Sequence, residues 1–343
     1  MAFGPAWRKN EVTLTTDAVW QPVVCRAAVR LREDLLAARE ATCGWRDEDL
    51  AYLLVEASLG RCLAKLSTTG IWSNANRIPS GILWHDVGEL LECGWLQHRA
   101  RFKPRGYAGD HEMIARIVMQ QECDDPLGKL FDRYFLRQAA PVAVRGRTTL
   151  AAATLAECLM QKPKGPFSVV SVGAGPALDV RQGLWAAEAL GKRVSVTLMD
   201  YDDEALLWAT EMLSELNLGR RLTCERENLF RLAQRPVMAS KLPNADVLLC
   251  TGMFDYVNDQ AAVELLRLFW SRLNPGGVML VGNFAPHNPT RAYMEWIANW
   301  YLTYRTADEL EALAEQADVP VECRRIGAEW TGVDLFLIAE RNV

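Results

Sequence analysis

A glycine-rich turn in the middle of the chain has the residue types of a ligand-binding loop. Residues 167–172 are apolar and rich in β-branched side chains, Gly173-Ala174-Gly175 follows them, and a helical pattern begins near residue 178. Glycine lets the backbone turn sharply and lets a ligand approach without a Cβ in the way. The start of the following helix offers free N–H groups. The pattern indicates a ligand site, and a simple packing turn is the alternative interpretation.

An acidic residue stands at the end of the next predicted strand. Asp200 follows residues 194–199 and precedes Tyr201. A carboxylate at this position can accept hydrogen bonds from both hydroxyls of a ribose. The alternative is a helix N-cap, a role that Asp202 or Asp203 could also fill. The turn and the acid, in this order, favour the binding of a nucleoside.

The spacing of the glycines restricts the kind of nucleoside. The third glycine of a dinucleotide-binding fingerprint is replaced by Leu178, which disfavours a pyrophosphate. The chain also lacks a Gly-x-x-x-x-Gly-Lys-Ser/Thr sequence, so it is not a P-loop ATPase. The adenosyl group of S-adenosylmethionine carries no phosphate and tolerates a looser turn.

The pattern of apolar residues that must position this site changes near residue 165. Before it, apolar residues recur at helical spacing, so residues 1–162 are predicted to form a helical substrate or lid domain. Over residues 163–343, short strands alternate with helices, which predicts an α/β fold with a seven-stranded, doubly wound, Rossmann-like sheet. The last two strands are expected to form an antiparallel hairpin at one edge. The predicted strands are 167–172, 194–199, 222–225, 245–250, 278–281, 319–326 and 333–339.

Composition and charge restrict the class of partner. The 343 residues include 38 Lys and Arg against 43 Asp and Glu, a formal charge of −5, which argues against a nucleic-acid-binding protein. Nine cysteines without a Cys-x-x-Cys pair, and only four histidines, give no support for a metal site. The N-terminus lacks the apolar core of a signal peptide, and no apolar run is long enough to cross a membrane. We therefore expect a cytoplasmic protein with reduced thiols, and the sequence does not indicate its oligomeric state.

Residues from about 165 to 343 resemble the class I S-adenosylmethionine-dependent methyltransferases, which implies that cofactor. In that family the glycine-rich turn lies under the methionine part, and the acid that ends the second strand holds the ribose. A polar residue after the third strand lies near the adenine, and the loop after the fourth strand lines the site of methyl transfer. Two positions depart from the family, because Ser171 stands where an acid is usual and Ala177 where a third glycine is common. The cofactor-binding residues that the resemblance implies are Gly173, Ala174, Gly175, Asp200, Tyr201, Asn228, Leu229, Thr251 and Gly252.

A narrower resemblance covers more of the chain. Residues 103–110, 252–256 and 282–305 are similar to a group of methyltransferases assigned to the biosynthesis of extracellular factor, 3-hydroxypalmitic acid methyl ester. With residues 144–147 these segments span about 100–306. The resemblance implies a small-molecule enzyme of the kind that serves natural-product biosynthesis, and it leaves the substrate open.

Methyl transfer from a sulfonium is an in-line displacement, which needs a nucleophile opposite the S–CH₃ bond in a water-poor pocket. A carboxylate nucleophile needs no base, whereas a hydroxyl or an ammonium does. Residues 106–110 combine two glycines with one aromatic residue and one acid, as a loop that closes over a ligand would, and a helix N-cap at Asp110 is the alternative. The candidate catalytic residues are Tyr107, Asp110, Asp255, Tyr256 and His287.

Arginines near these segments could hold a carboxylate of the substrate through paired hydrogen bonds. Arg145, Arg147 and Arg305 are candidates for that role, although they could equally connect the helical domain to the sheet. The predicted substrate-binding residues are Arg145, Asn283, Tyr304 and Arg305.

The leading interpretation is an S-adenosylmethionine-dependent methyltransferase that acts on a small organic acid or acyl compound, with neither nucleic acid nor membrane as a partner. An N- or S-methyltransferase of a small-molecule precursor is the alternative among enzymes, and a non-catalytic cofactor-binding scaffold is the alternative outside them. Enzymes that methylate amino groups of nucleic-acid bases usually carry Asp/Asn-Pro-Pro-Tyr after the fourth strand. This chain has Thr251-Gly252-Met253-Phe254 there.

Overall fold

The computed structural model describes residues 17–44, 47–162, 165–185, 187, 190–228, 231, 233–234 and 239–342. Its N-terminal part is helical, as the spacing of apolar residues predicts. Side chains of Asp110 and Asp125 cap two of the helices by accepting backbone N–H groups of the first turn. The helices are α1 (Asp17–Gly44), α2 (Glu48–Ser67), α3 (Arg77–Leu91), α4 (Trp95–Phe102), α5 (His111–Met119), α6 (Pro126–Leu136) and α7 (Ala139–Gln161).

The C-terminal part is a seven-stranded sheet with helices on both faces. The strand order is β3-β2-β1-β4-β5-β7-β6, and β7 runs antiparallel to both of its neighbours. The strands are β1 (Pro166–Val172), β2 (Arg193–Asp200), β3 (Leu222–Arg226), β4 (Ala245–Cys250), β5 (Leu273–Phe284), β6 (Arg324–Ala328) and β7 (Asp334–Glu340). The helices among them are α8 (Leu178–Leu184), α9 (Asp203–Met212), α10 (Asp259–Ser271) and α11 (Ala307–Gln316). This confirms the predicted doubly wound, Rossmann-like sheet with a helical N-terminal region.

The order of the strands determines where a ligand can bind. β1 pairs with β2 on one side and with β4 on the other, so the direction of strand progression reverses between β1 and β4. Open α/β sheets bind ligands at the carboxyl ends of the strands beside such a reversal. The glycine-rich turn follows β1 and Asp200 ends β2, so both lie at this edge.

Helix α7 belongs to two hydrophobic cores. Its first half contributes Ala143 and Val144 to the core of the helical region. Its second half contributes Leu155 and Leu159 to the core on one face of the sheet. The predicted boundary at residue 162 therefore follows a helix that is packed into both parts of the molecule.

Three predicted segments differ in extent from the structure. Helix α8 ends at Leu184, whereas its pattern predicts a helix to about residue 190. The predicted turn at 274–277 forms the irregular first part of β5, where Gly276 has a φ of 72° and the register with β4 shifts. Strand β6 begins only at Arg324, because a single 3₁₀ turn precedes it.

Within the described ranges, no helix combines the length and the apolar character needed to cross a bilayer.

Candidate active site

A cleft of about 460 Å³ lies at the carboxyl ends of β1, β2 and β4. One side of it is formed by the sheet loops, and the other by the loop before α5 together with the first half of α7. The structure brings nine of the predicted site residues to this cleft. They are Tyr107, Gly173, Ala174, Gly175, Asp200, Tyr201, Thr251, Gly252 and Tyr256.

The turn after β1 has a conformation that depends on glycine. Gly173 and Gly175 have φ values of 67° and 51°, in the left-handed region that side chains with a Cβ disfavour. Apart from the two residues that flank Gly175, no described residue has a heavy atom within 4 Å of the position that a Cβ on Gly175 would occupy. The backbone therefore lies open to the cleft at this point, as a turn that carries a ligand must.

Asp200 holds this turn in place. One carboxylate oxygen accepts the Gly175 N–H at 2.9 Å, and the other accepts the Asp202 N–H at 3.0 Å. The side chain is almost fully buried, and burial raises the pKa of its carboxyl above the ordinary value. Each oxygen retains a lone pair, so the group can also accept hydrogen bonds from a ligand in the cleft.

Besides Arg105, which is described below, two charged residues of the cleft are absent from the predicted cofactor- and substrate-binding residues. Asp179, in the first turn of α8, accepts the Val180 N–H at 2.8 Å, and no described cation forms an ion pair with it. Burial raises the pKa of its carboxyl, while the charge of Arg147 lowers it. Arg147 lies on the opposite side of the cleft, on α7, and its one hydrogen bond to a described residue is a 3.5 Å contact with Asp334. The sequence analysis considers Arg147 as a candidate for holding a substrate carboxylate. The only sequence signal for Asp179 is its position at the start of the helix that follows the glycine-rich turn.

The loop before α5 is fastened to the sheet domain by charge. Arg105 forms ion pairs with Glu204, at the start of α9, and lies 3.8 Å from Asp202. Tyr107 follows in the same loop and lines the cleft; burial raises the pKa of its hydroxyl. Asp110, by contrast, is fully buried away from the cleft, where it caps α5 and pairs with Arg99 at 2.8 Å. The structure therefore supports the N-cap interpretation of Asp110.

Tyr256 and Asp255 follow β4 and face different surroundings. The Tyr256 hydroxyl accepts a hydrogen bond from Trp300 Nε1 at 2.8 Å, and burial raises its pKa, so it stays protonated and can donate. Asp255 Oδ1 accepts the Phe284 N–H at 2.8 Å and Asn283 Nδ2 at 3.1 Å. Asp255 lies beside the cleft, in the wall of a smaller cavity described below.

Arg305 and Asn283 form a buried structural network, not a substrate site. Arg305 donates to the carbonyl oxygens of Phe254 at 2.9 Å and Val257 at 2.7 Å, to Asn283 Oδ1 at 2.6 Å, and to Asp259. The N–H groups of the Arg305 guanidinium therefore bind other parts of the protein, and they hold the loop after β4 against the end of β5. A substrate carboxylate would have to displace those contacts.

Four other predicted site residues also lie outside the cleft. Arg145 donates to the carbonyl of Leu136 at 2.9 Å. Tyr304 stacks under the Arg291 guanidinium at 5.0 Å. His287 is exposed, and its Nε2 lies 2.9 Å from the carbonyl oxygen of Gly332. Asn228 does not line the cleft, and Leu229 lies outside the described residues.

The pKa of Asp255 leads to a prediction about stability. Burial raises it from 3.8 to about 6, so between these values the native state binds more protons than the unfolded state. The free energy of unfolding should therefore fall as the pH rises from about 4 to about 6. Urea denaturation at several pH values should show a smaller fall for Asp255→Asn than for the wild type. Parallel pH profiles for the two proteins would contradict the assignment.

Comparison with known proteins shows a likeness of fold. No family model and no curated protein matches the sequence. Among solved structures, a possible exported protein from Bordetella parapertussis is 18% identical, with a TM-score of 0.54 over 96% of this chain and 100% of that chain. A mitomycin 7-O-methyltransferase is 18% identical, with a TM-score of 0.46 over 94% and 96% of the two chains. An O-methyltransferase family protein from Burkholderia thailandensis is 15% identical, with a TM-score of 0.46 over 96% and 99%. At 18% identity, the likeness to the structure from Bordetella parapertussis shows a shared fold only.

Proposed function

We propose that this protein is an S-adenosylmethionine-dependent methyltransferase that acts on a small organic acid or acyl compound. The observation that carries the proposal is the single cleft in which the open glycine turn after β1 and the buried carboxylate that ends β2 meet. Side chains from the helical region close the other side of that cleft.

The cleft residues fit the polar groups of this cofactor. Asp200 would hold the ribose, and the turn at Gly173 and Gly175 would lie under the methionine part. Asp179 would take the methionine ammonium, since its half-buried carboxylate lines the cleft and has no ion-pair partner among the described residues. Ser171, where the resembled family has an acid, is not part of the cleft lining. When bound, S-adenosylmethionine supplies an electrophilic methyl group on its sulfonium.

The chain's own part in methyl transfer is positioning. Apolar walls exclude water, which would otherwise solvate the nucleophile. The Tyr256 hydroxyl and the Arg147 guanidinium can donate hydrogen bonds to an oxygen of the acceptor, and a carboxylate so held needs no base. A methyl ester is also the product made by the narrower group that the sequence resembles. We further propose that residues 1–162 supply the acceptor side of the site, in a cytoplasmic enzyme of natural-product type.

The proposal is tested by calorimetry and by transfer of a labelled methyl group. We expect the protein to bind S-adenosylmethionine and S-adenosylhomocysteine, and to label acids in a screen that also contains amines and thioethers. Labelling of amines or thioethers alone would favour the N- or S-methyltransferase alternative. Binding without any turnover would favour a non-catalytic scaffold.

Replacing Tyr256 should affect the acceptor and spare the cofactor. Tyr256→Phe removes one hydrogen bond to a carboxylate that loses its charge as the methyl group arrives, so about 0.5–1.5 kcal/mol of transition-state stabilisation is lost. We expect kcat/KM for a labelled acid to fall by about 2- to 12-fold, while the affinity for S-adenosylhomocysteine stays the same. A comparable loss of cofactor affinity would show that Tyr256 belongs to the cofactor site instead.

A further inference from the structure

A second, smaller cavity of about 30 Å³ opens off the cleft. The two cavities share Gly109, Ile114, Arg147, Gly252 and Tyr256 as lining residues. We call the smaller one the inner chamber. It lies between the helical region and the end of β5, beside the cleft proposed for the cofactor.

The walls of the inner chamber are mainly apolar, and Asp255 also lines it, with its Oδ1 held by the Phe284 N–H and Asn283 Nδ2. The apolar walls come from α5, α6 and α7 on one side, and from the segment after β5 on the other. The side chains that form them include Ile117, Phe135, Pro141, Val144, Met294 and Leu302. A ligand group that fills this space must itself be apolar.

Phe135 makes one of these walls rigid. Its ring stacks on Tyr293 with centroids 5.1 Å apart and an interplanar angle of 16°. The Tyr293 hydroxyl in turn donates to Gln97 Oε1 at 2.6 Å. Phe135 and Met294 are 2% and 1% exposed, so neither can swing into solvent to make room.

The mouth of the inner chamber is polar, in contrast to its walls. Arg147 stands there, and its one hydrogen bond to a described residue is the long, 3.5 Å contact with Asp334. Most of the guanidinium donors are therefore left for a ligand. Tyr256, whose oxygen already accepts from Trp300, adds a free O–H donor. Donors at the mouth and apolar walls behind them match a carboxylate with a short hydrocarbon end.

We propose that the inner chamber is the acceptor subsite, and that it restricts the substrate to organic acids with a hydrocarbon end of about two or three carbons. The limit follows from volume, since one water-sized group needs about 10–15 Å³ of such space. Phe135 is the side chain that sets it. The inference rests on the proposed function and contrasts with the sixteen-carbon acyl chain of the resembled group.

The reaction then needs no other reagent. A carboxylate oxygen of the acid forms a C–O bond to the methyl group as the S–C bond breaks, and the electron pair of that bond returns to sulfur. The products are a methyl ester and S-adenosylhomocysteine. The acid is already ionised at neutral pH, so no proton has to be removed.

The experiment measures acid binding to the full chain saturated with S-adenosylhomocysteine. Calorimetry with butyrate, hexanoate and decanoate should show butyrate binding about tenfold more tightly than decanoate to the wild type. Phe135→Ala and the milder Phe135→Leu should reverse or reduce that preference, because they lengthen the chamber. Phe131→Leu is the matched control, since Phe131 is a fully buried residue of the same helix that does not line the chamber.

Three outcomes would overturn the inference: equal binding of butyrate and decanoate, no binding of either acid, or the same preference in the Phe135 variants as in Phe131→Leu. Binding of S-adenosylhomocysteine is measured first, without acid. Its absence would refute the proposed function itself and is thus distinguishable from a failure of the acceptor subsite.

Discussion

Asp200→Ala is expected to weaken the binding of S-adenosylhomocysteine by about 10- to 150-fold, equivalent to about 1.5–3 kcal/mol for lost charge-assisted hydrogen bonds. The carboxylate has two tasks in the structure, and the alanine removes both. The ribose loses its acceptor, and the Gly175 and Asp202 N–H groups lose the oxygens that hold the turn. Calorimetry on the folded variant checks the prediction, with urea denaturation to separate affinity from stability.

One further variant separates these two tasks of Asp200, and a second variant serves as a control. Asp200→Asn keeps one oxygen for a backbone N–H but loses the charge, so its affinity should lie between those of the wild type and Asp200→Ala. Asp203→Ala is the matched control, because Asp203 is exposed, pairs with Arg226 at 2.8 Å and lies outside the cleft. Equal affinities of wild type and Asp200→Ala would remove the ribose assignment.

Asp179→Asn is expected to cost about tenfold or more in affinity for S-adenosylhomocysteine, because a buried charge-assisted hydrogen bond to the ammonium is lost. A general disturbance of the cleft could produce the same loss. The analogue of S-adenosylhomocysteine in which hydrogen replaces the α-amino group distinguishes the two explanations. The wild type should prefer the natural ligand over this analogue by about tenfold or more, and Asp179→Asn should show almost no preference.

The ratio of the affinities for the two ligands tests whether Asp179 binds the ammonium, even if the substitution changes both affinities. Asp203→Asn serves as the control here, as an acid in the first turn of another helix. If the ratio in Asp179→Asn equals that of the wild type, the ammonium is held elsewhere. Since this comparison needs no methyl acceptor, it does not depend on the identity of the substrate.

The part of the site that the sequence predicts is the part made by residues close together in the chain. Gly173 and Gly175 follow a buried strand, and Asp200 ends the next one, so the topology of a doubly wound sheet is enough to bring them to one edge. The alternation of strands and helices likewise predicts the sheet, because strands and helices differ in the spacing of their apolar residues.

The arginines show why the rest could not be predicted. Arg145, Arg147 and Arg305 look alike in the sequence, and only the tertiary contacts distinguish them. Arg305 meets two backbone carbonyls and Asn283, and Arg145 meets the carbonyl of Leu136. Arg147 alone of the three faces the cleft. The inner chamber could not be predicted for the same reason, because its walls bring helices α5 to α7 together with residues around 284–302, which are distant in the sequence.

The course of α7 restricts how parts of this protein can be exchanged with those of a related chain. The helix places Arg147 and Thr148 in the wall of the cleft. About two turns later, its Leu155 and Leu159 pack against the sheet. A chimaera joined at residue 162 would take the proposed acceptor side and the α7 wall of the cleft from one parent, and the sheet beneath that wall from the other. A transferable acceptor-specificity module must therefore end before α7 or include the sheet face that α7 covers.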